Sequence, residues 1–143
     1  SYSAEGYLTG IVENIDDTEY SSTSLTYENG DITSISSKMN GLENKFIYEP
    51  GEESSTYHLP CLGLLEIHPL TFHIEALYAG LLGKDPRHFT MHSCPAGSND
   101  EKTVYSYGFD KKGNPSRMIC QTTYAGGQAS YYPYTRNISI SFE

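Results

Sequence analysis

A short pattern recurs along this chain: an aromatic residue, a tight turn closing on Gly, then apolar residues two and five positions after that Gly. The clearest copy is Tyr27-Glu28-Asn29-Gly30-Asp31-Ile32-Thr33-Ser34-Ile35. A second runs from Tyr2 to Ile11 through Gly6 and Leu8, and a third from Phe109 to Met118 through Gly113 and Pro115. An acidic or Asn residue before Gly supplies the positive φ angles of a strand-reversing turn, and the flanking aromatic and β-branched residues suit a pleated, half-buried surface. The chain is therefore expected to fold as antiparallel hairpins. In a regular strand, residues three apart point to opposite faces. Leu8 and Ile11, Ile32 and Ile35, and Pro115 and Met118 thus require either partial cover on both faces or a bulge beyond each turn. Glu49-Pro50-Gly51 after Tyr48 reads as a decayed fourth copy with Glu53 in the first apolar site. At Pro115 and Glu53 the sheet is expected to end, bend or open.

Strands are predicted over 7–14, 20–27, 32–38 and 45–48, then again over 104–109, 116–124 and 129–134. A last strand carries the alternation Ile138, Ile140, Phe142. Between the two groups the pattern changes. After an apolar run from Leu62 to Ile67, Leu70, Ile74, Leu77 and Leu81 follow helical spacing, Pro69 suits a first turn, Gly83 suits a C-terminal cap and Pro86 forbids continuation. This predicts one central helix over about 70–82, lying against the sheet. The fold class expected is mainly β, a β-rich α+β domain: an antiparallel hairpin meander forming a curled sheet or partial barrel with one central helix. At 143 residues, the chain is read as a single domain over 1–143.

Composition narrows the partners. The formal charge is −9 with a pI near 4.9, and nine Lys and Arg residues are scattered along the sequence, which argues against a nucleic acid. Hydrophobic residues make up 37%, yet there are thirteen Tyr, five Phe and no Trp, so Tyr carries much of the apolar area. Such a composition suits a broad sheet with partly covered faces. No stretch has the length and apolarity of a membrane helix, and no leader is visible at the start. Any export signal is expected to have been removed. Cys61, Cys94 and Cys120 lack metal-type pairing and leave the redox compartment open.

The aromatic-turn-Gly-x-Leu-Thr-x-Ile pattern in Tyr2 to Ile11 and Tyr27 to Ile35 resembles the tyrosine-aspartate repeats of Rhs-type surface proteins. It is more similar to an uncharacterised domain family of lipoproteins from Gram-negative gut bacteria with a porin-like fold. There, hairpins of this kind flank a central helical segment ending much like Gly80-Leu81-Leu82-Gly83-Lys84, and a final hairpin set resembles Tyr105 to Ile119. The resemblance implies an exported, antiparallel β-rich domain with no assigned activity, and it carries over no catalytic residue.

His58-x-x-Cys61 and His88-x-x-x-His92-x-Cys94 offer imidazole and thiolate at short spacings, but structural zinc presents two tight ligand pairs, so no metal is assigned. A G-x-S-x-G elbow is missing, and Cys94 beside His92 is adjacency rather than a triad. Asp16-Asp17 and Glu52-Glu53 read as solvated turn charge. The Tyr-rich strands invite a binding reading, in which Tyr105 and Tyr107, or Tyr131, Tyr132 and Tyr134, present an aromatic platform to a sugar ring or a peptide strand.

The sequence thus predicts an exported, non-enzymatic module of the periplasm or cell surface, held at the outer membrane by a lipid anchor upstream of this chain. Its expected partner is a glycan, peptide or protein surface ligand, with no cofactor. The alternative is a hydrolase or metal-dependent enzyme using His88, His92 and Cys94, which requires those residues to converge in one cleft. A third reading is a structural unit whose edge strands pair with another copy.

Overall fold

The computed structural model describes residues 1–54, 80–98, 100–124 and 134–139. Its described strands are β1 (Gly10–Ile15), β2 (Thr18–Glu28), β3 (Asp31–Met39), β4 (Leu42–Ser54), β5 (His88–Pro95), β6 (Glu101–Phe109), β7 (Pro115–Tyr124) and β8 (Tyr134–Ser139). They form one eight-stranded sheet in chain order, each strand antiparallel to the next. This is the meander that the hairpin pattern predicts. Asp16-Asp17, Asn29-Gly30 and Asn40-Gly41 make two-residue turns with positive φ at both positions, the geometry whose twist matches that of paired strands. Asp16-Asp17 is thus turn charge, as its polar setting indicated.

Bulges resolve the three-residue spacing. Tyr27 pairs with Ile32 but Thr26 with Ser34, which leaves Thr33 as an extra residue in β3. Phe109 pairs with Pro115 but Gly108 with Arg117, leaving Ser116 extra in β7. Each extra residue stands three positions after the turn Gly, so the apolar residues on either side of it return to one face. Ile32 and Ile35 are accordingly both buried, and so are Pro115 and Met118. Pro115 neither ends nor opens the sheet; it sits fully buried opposite Phe109. The other expected departure is real. Pro50 pairs with Thr90 and Ser54 with His88, so Gly51, Glu52 and Glu53 stand opposite Phe89 alone. Pro50 has no N–H to give to the ladder, and regular pairing stops there.

The central helix is a correction. Among the described residues every regular element is a strand, and 70–79 lies outside them. At the described end of the expected helix, Gly80 to Leu82 form a turn with Gly80 at φ +69, a left-handed conformation that no α-helix contains. Helical spacing put Leu81 on the buried face, but Leu81 is 55% exposed and Leu82 is the buried residue at 8%. From there the chain runs as a strap across the first hairpins. Gly83 bridges Tyr7, Lys84 N–H donates to Gly6 O at 2.8 Å, and Arg87 N–H donates to Gly30 O at 3.0 Å. β5 follows directly, in a segment for which the sequence pattern predicts no strand.

The strap and the N-terminal turn cap the first core cluster, in which Leu8, Leu25, Ile32, Ile35, Tyr48 and Leu82 pack together. A second cluster, Tyr105, Met118 and Cys120, lies on β6 and β7. Between them runs a row of paired residues on one face, Tyr48, Ser93, Thr103 and Thr122. Within it Thr103 Oγ1 and Thr122 Oγ1 are 2.8 Å apart, and Ser93 Oγ lies 2.7 Å from the hydroxyl of neighbouring Tyr105. On the other face of β2 to β4, Ser24, Thr26, Lys38, Glu43 and Lys45 are exposed. No described helix is long and apolar enough to cross a membrane.

Candidate functional site

The break at Pro50 has a counterpart on the other side of β5. Although β5 and β6 are eight and nine residues long, their ladder consists of His92 with Val104 and Ser93 with Thr103. Beyond His92 the regular pairing lapses, and the Tyr107 hydroxyl, instead of a backbone N–H, donates to Thr90 O at 2.9 Å. Irregularity on both sides of β5 opens a cleft of about 600 Å³ between the three strands, lined by Pro50, Gly51 and Glu52 of β4, residues 89–91 of β5 and residues 105–107 of β6. Three of the lining residues are aromatic, Phe89, Tyr105 and Tyr107. The Phe89 and Tyr107 rings stand 4.6 Å apart with a 31° tilt, and Phe109, outside the lining, backs Phe89 at 5.9 Å. Phe89 is 7% exposed and Met91 42%, so the cleft has a ring-built floor and a thioether at its mouth. Concavity, an apolar lining and a few polar groups are the general features of a ligand site.

Two of the five tyrosines singled out in the sequence line this cleft. Tyr105 is buried and shares its hydroxyl with Ser93, while Tyr107 is half-buried and fixed by Thr90. Tyr131 and Tyr132 lie outside the described residues, and Tyr134 begins β8. Phe89 and Met91 are not among the candidates read from the sequence, and Glu52, read there as solvated turn charge, lies in β4. Phe89 and Met91 do alternate along 88–94, a strand signal masked by the neighbouring histidines.

The residues of the enzyme alternative divide. His92 and Cys94 line a second cleft of about 140 Å³ with Ile47, Glu49, Glu101 and Lys102, and His92 Nδ1 lies 3.2 Å from Glu49 Oε2. His88 is engaged elsewhere: Asp31 Oδ2 is 2.9 Å from its Nδ1. The three residues therefore do not share a cleft. No group of three or more His, Cys, Asp or Glu side chains that could hold a metal ion occurs among the described residues. Cys61 and His58 are outside them, and Cys120 is buried in the second core cluster.

Comparison with known families decides what this architecture belongs to. The model of a domain of unknown function with porin-like fold, DUF4595, matches residues 1–117. The chain belongs to that family. This DUF4595 domain is also similar to a solved structure, a porin-like protein from Bacteroides uniformis, at 26% identity and a TM-score of 0.76 over 96% of this chain. The domain spans 54% of that neighbour's length. None of the curated proteins compared matches it. The resemblance read from the hairpins is thereby established at the level of family and fold.

Proposed function

We propose that this DUF4595 domain is a non-enzymatic binding module of an exported envelope protein, taking its ligand in the cleft between β4, β5 and β6. The cleft itself carries the reading: a sheet paired strand to strand departs from regular pairing on both sides of β5, and aromatic side chains line the opening. Ladder irregularities of this kind re-aim side chains next to binding sites. Glycan, peptide and protein surface are the ligand classes that suit ring faces with hydroxyls at the rim. The porin-like fold supports a location at the periplasmic or cell surface. The solvent-facing rows of β2 to β4 carry hydroxyls and charges where a lipid-facing barrel wall has an apolar band. Attachment through a lipid anchor upstream of this chain accounts for both.

The test is a panel of glycans and peptides presented to the wild-type domain and to Ser106→Trp, which places a bulky ring from an exposed position at the cleft. Binding by the wild type and its loss in a folded Ser106→Trp variant are expected; equal binding by both would move the site elsewhere. Export and anchoring are checked separately by labelled palmitate incorporation and cell fractionation of the full-length protein. A full-length protein that stays in the cytosol without label contradicts that part of the reading.

A further inference from the structure

The charge of the cleft narrows its ligand. Among its described lining residues one side chain is charged, Glu52, and none is Lys, Arg or His. The domain as a whole carries −9. An anionic ligand would meet that carboxylate with no compensating cation among the described lining residues, at a cost in both repulsion and desolvation. The remaining lining suits a cation on an apolar stem: the half-buried Tyr107 ring packed on buried Phe89, the polarizable thioether of Met91, and the exposed carboxylate of Glu52. The same molecule already makes such a contact, since Lys84 Nζ sits 4.9 Å from the centre of the Tyr7 ring.

From this charge complementarity we infer that the cleft takes the lysine side chain of a peptide, its methylenes against Phe89 and Met91 and its ammonium drawn to Glu52. The inference rests on the reading of the cleft as the binding site and names the ligand chemistry. Phosphate, sulfate and carboxylate ligands are disfavoured by it. A neutral sugar would use the rings and could donate a hydroxyl hydrogen bond to Glu52, but without the charge complementarity that a cation gains there.

Amide spectra of the ¹⁵N-labelled domain, titrated with the capped peptide Ala-Lys-Ala and with its neutral isostere Ala-norleucine-Ala, test it directly. The lysine peptide is expected to shift the Phe89, Met91 and Tyr107 amides and to bind about fivefold tighter than the isostere at low salt. Glu52→Gln, an exposed and nearly isosteric change, is expected to remove that preference, and raising the salt to about 300 mM to shrink it. Equal binding of the two peptides, or a lysine preference that survives Glu52→Gln, overturns the inference. A neutral oligosaccharide that shifts these amides while the lysine peptide does not also overturns it and leaves the cleft as a binding site. If neither the peptides nor the oligosaccharide shifts them, the reading of the cleft fails as well.

Discussion

Asp31 holds His88 at two points: Oδ1 accepts the His88 backbone N–H at 2.8 Å, and Oδ2 lies 2.9 Å from the imidazole Nδ1. Asp31 is buried at the first position after the Asn29-Gly30 turn, and His88 opens β5. The pair ties the first hairpins to the strand that forms one wall of the cleft. Asp31→Ala is expected to cost about 1–3 kcal/mol in chemical denaturation, because it leaves a partly buried backbone donor without its acceptor. His88→Ala keeps the backbone contact and should cost less. A reversed order of the two effects would show that the imidazole rather than the main chain bears the link.

Gly83 is where the strap meets the N-terminal turn. It has φ +72, and a Cβ there would lie 2.7 Å from Gly6 O and 2.8 Å from Leu8 N. Gly41, at φ +77, has nothing within 4 Å of such an atom. Gly83→Ala therefore adds a backbone collision to the left-handed penalty of roughly 1 kcal/mol that Gly41→Ala incurs alone. Denaturation midpoints should fall for both and clearly further for Gly83→Ala. Equal losses would mean that the strap yields without cost.

Deleting Thr33 tests the bulge. With the extra residue gone, Ile32 and Ile35 stand two apart in a regular strand and keep one face, so both can remain in the first core cluster. The deletion is therefore expected to leave the domain folded, within about 1–3 kcal/mol of wild type. Inserting an Ala after Ser34 instead moves Ile35 on by one residue and turns one of the two out of the core, at a cost of about 2–5 kcal/mol. A deletion as damaging as the insertion would contradict the bulge as the reason for the repeated spacing.

The Asp110 turn carries a pH signature. Hydrogen bonds from Asn114, through its backbone N–H and its side chain, hold the Asp110 carboxyl below its ordinary value of 3.8, with smaller help from the Lys112 N–H and charge. A lowered value means that the turn gains from the charged form above the ordinary carboxylate range and loses that gain as pH falls through the folded value. The Lys112 and Asn114 amide resonances should accordingly titrate together with a midpoint below 3.8. A midpoint at or above the ordinary value would mean that the turn does not hold the carboxylate.

Much of the fold was legible because its signals are local. Asn-Gly dictates a two-residue turn from two adjacent side chains, and the strands beside it alternate over a few residues, so the hairpins and the meander followed from Tyr27 to Ile35 outward. The spacing of Ile32 and Ile35 allowed two geometries, and pairing to a distant strand chose the bulge. The helix prediction rested on leucine periodicity, which does not register that Gly80 and Gly83 adopt left-handed backbone or that Leu82, not Leu81, is buried. β5 was hidden because its partner β4 breaks pairing at Pro50 and because three of its residues, His88, His92 and Cys94, have the character of metal ligands. The site divides the same way. Tyr105 and Tyr107 stood out by alternation, whereas Phe89 and Met91 become lining residues only where β5 leaves the regular ladder on both sides.

The central claim is that ligand enters the cleft between β4, β5 and β6, and the three methionines report on it. Met91 lines the cleft, Met118 is buried in the second core cluster, and Met39 ends β3 away from both. In a spectrum of the ¹³C-methyl-methionine domain, a ligand drawn from the binding panel should move the Met91 methyl most, Met118 slightly and Met39 not at all. A bound ligand that shifts Met39 while Met91 stays in place would contradict the account.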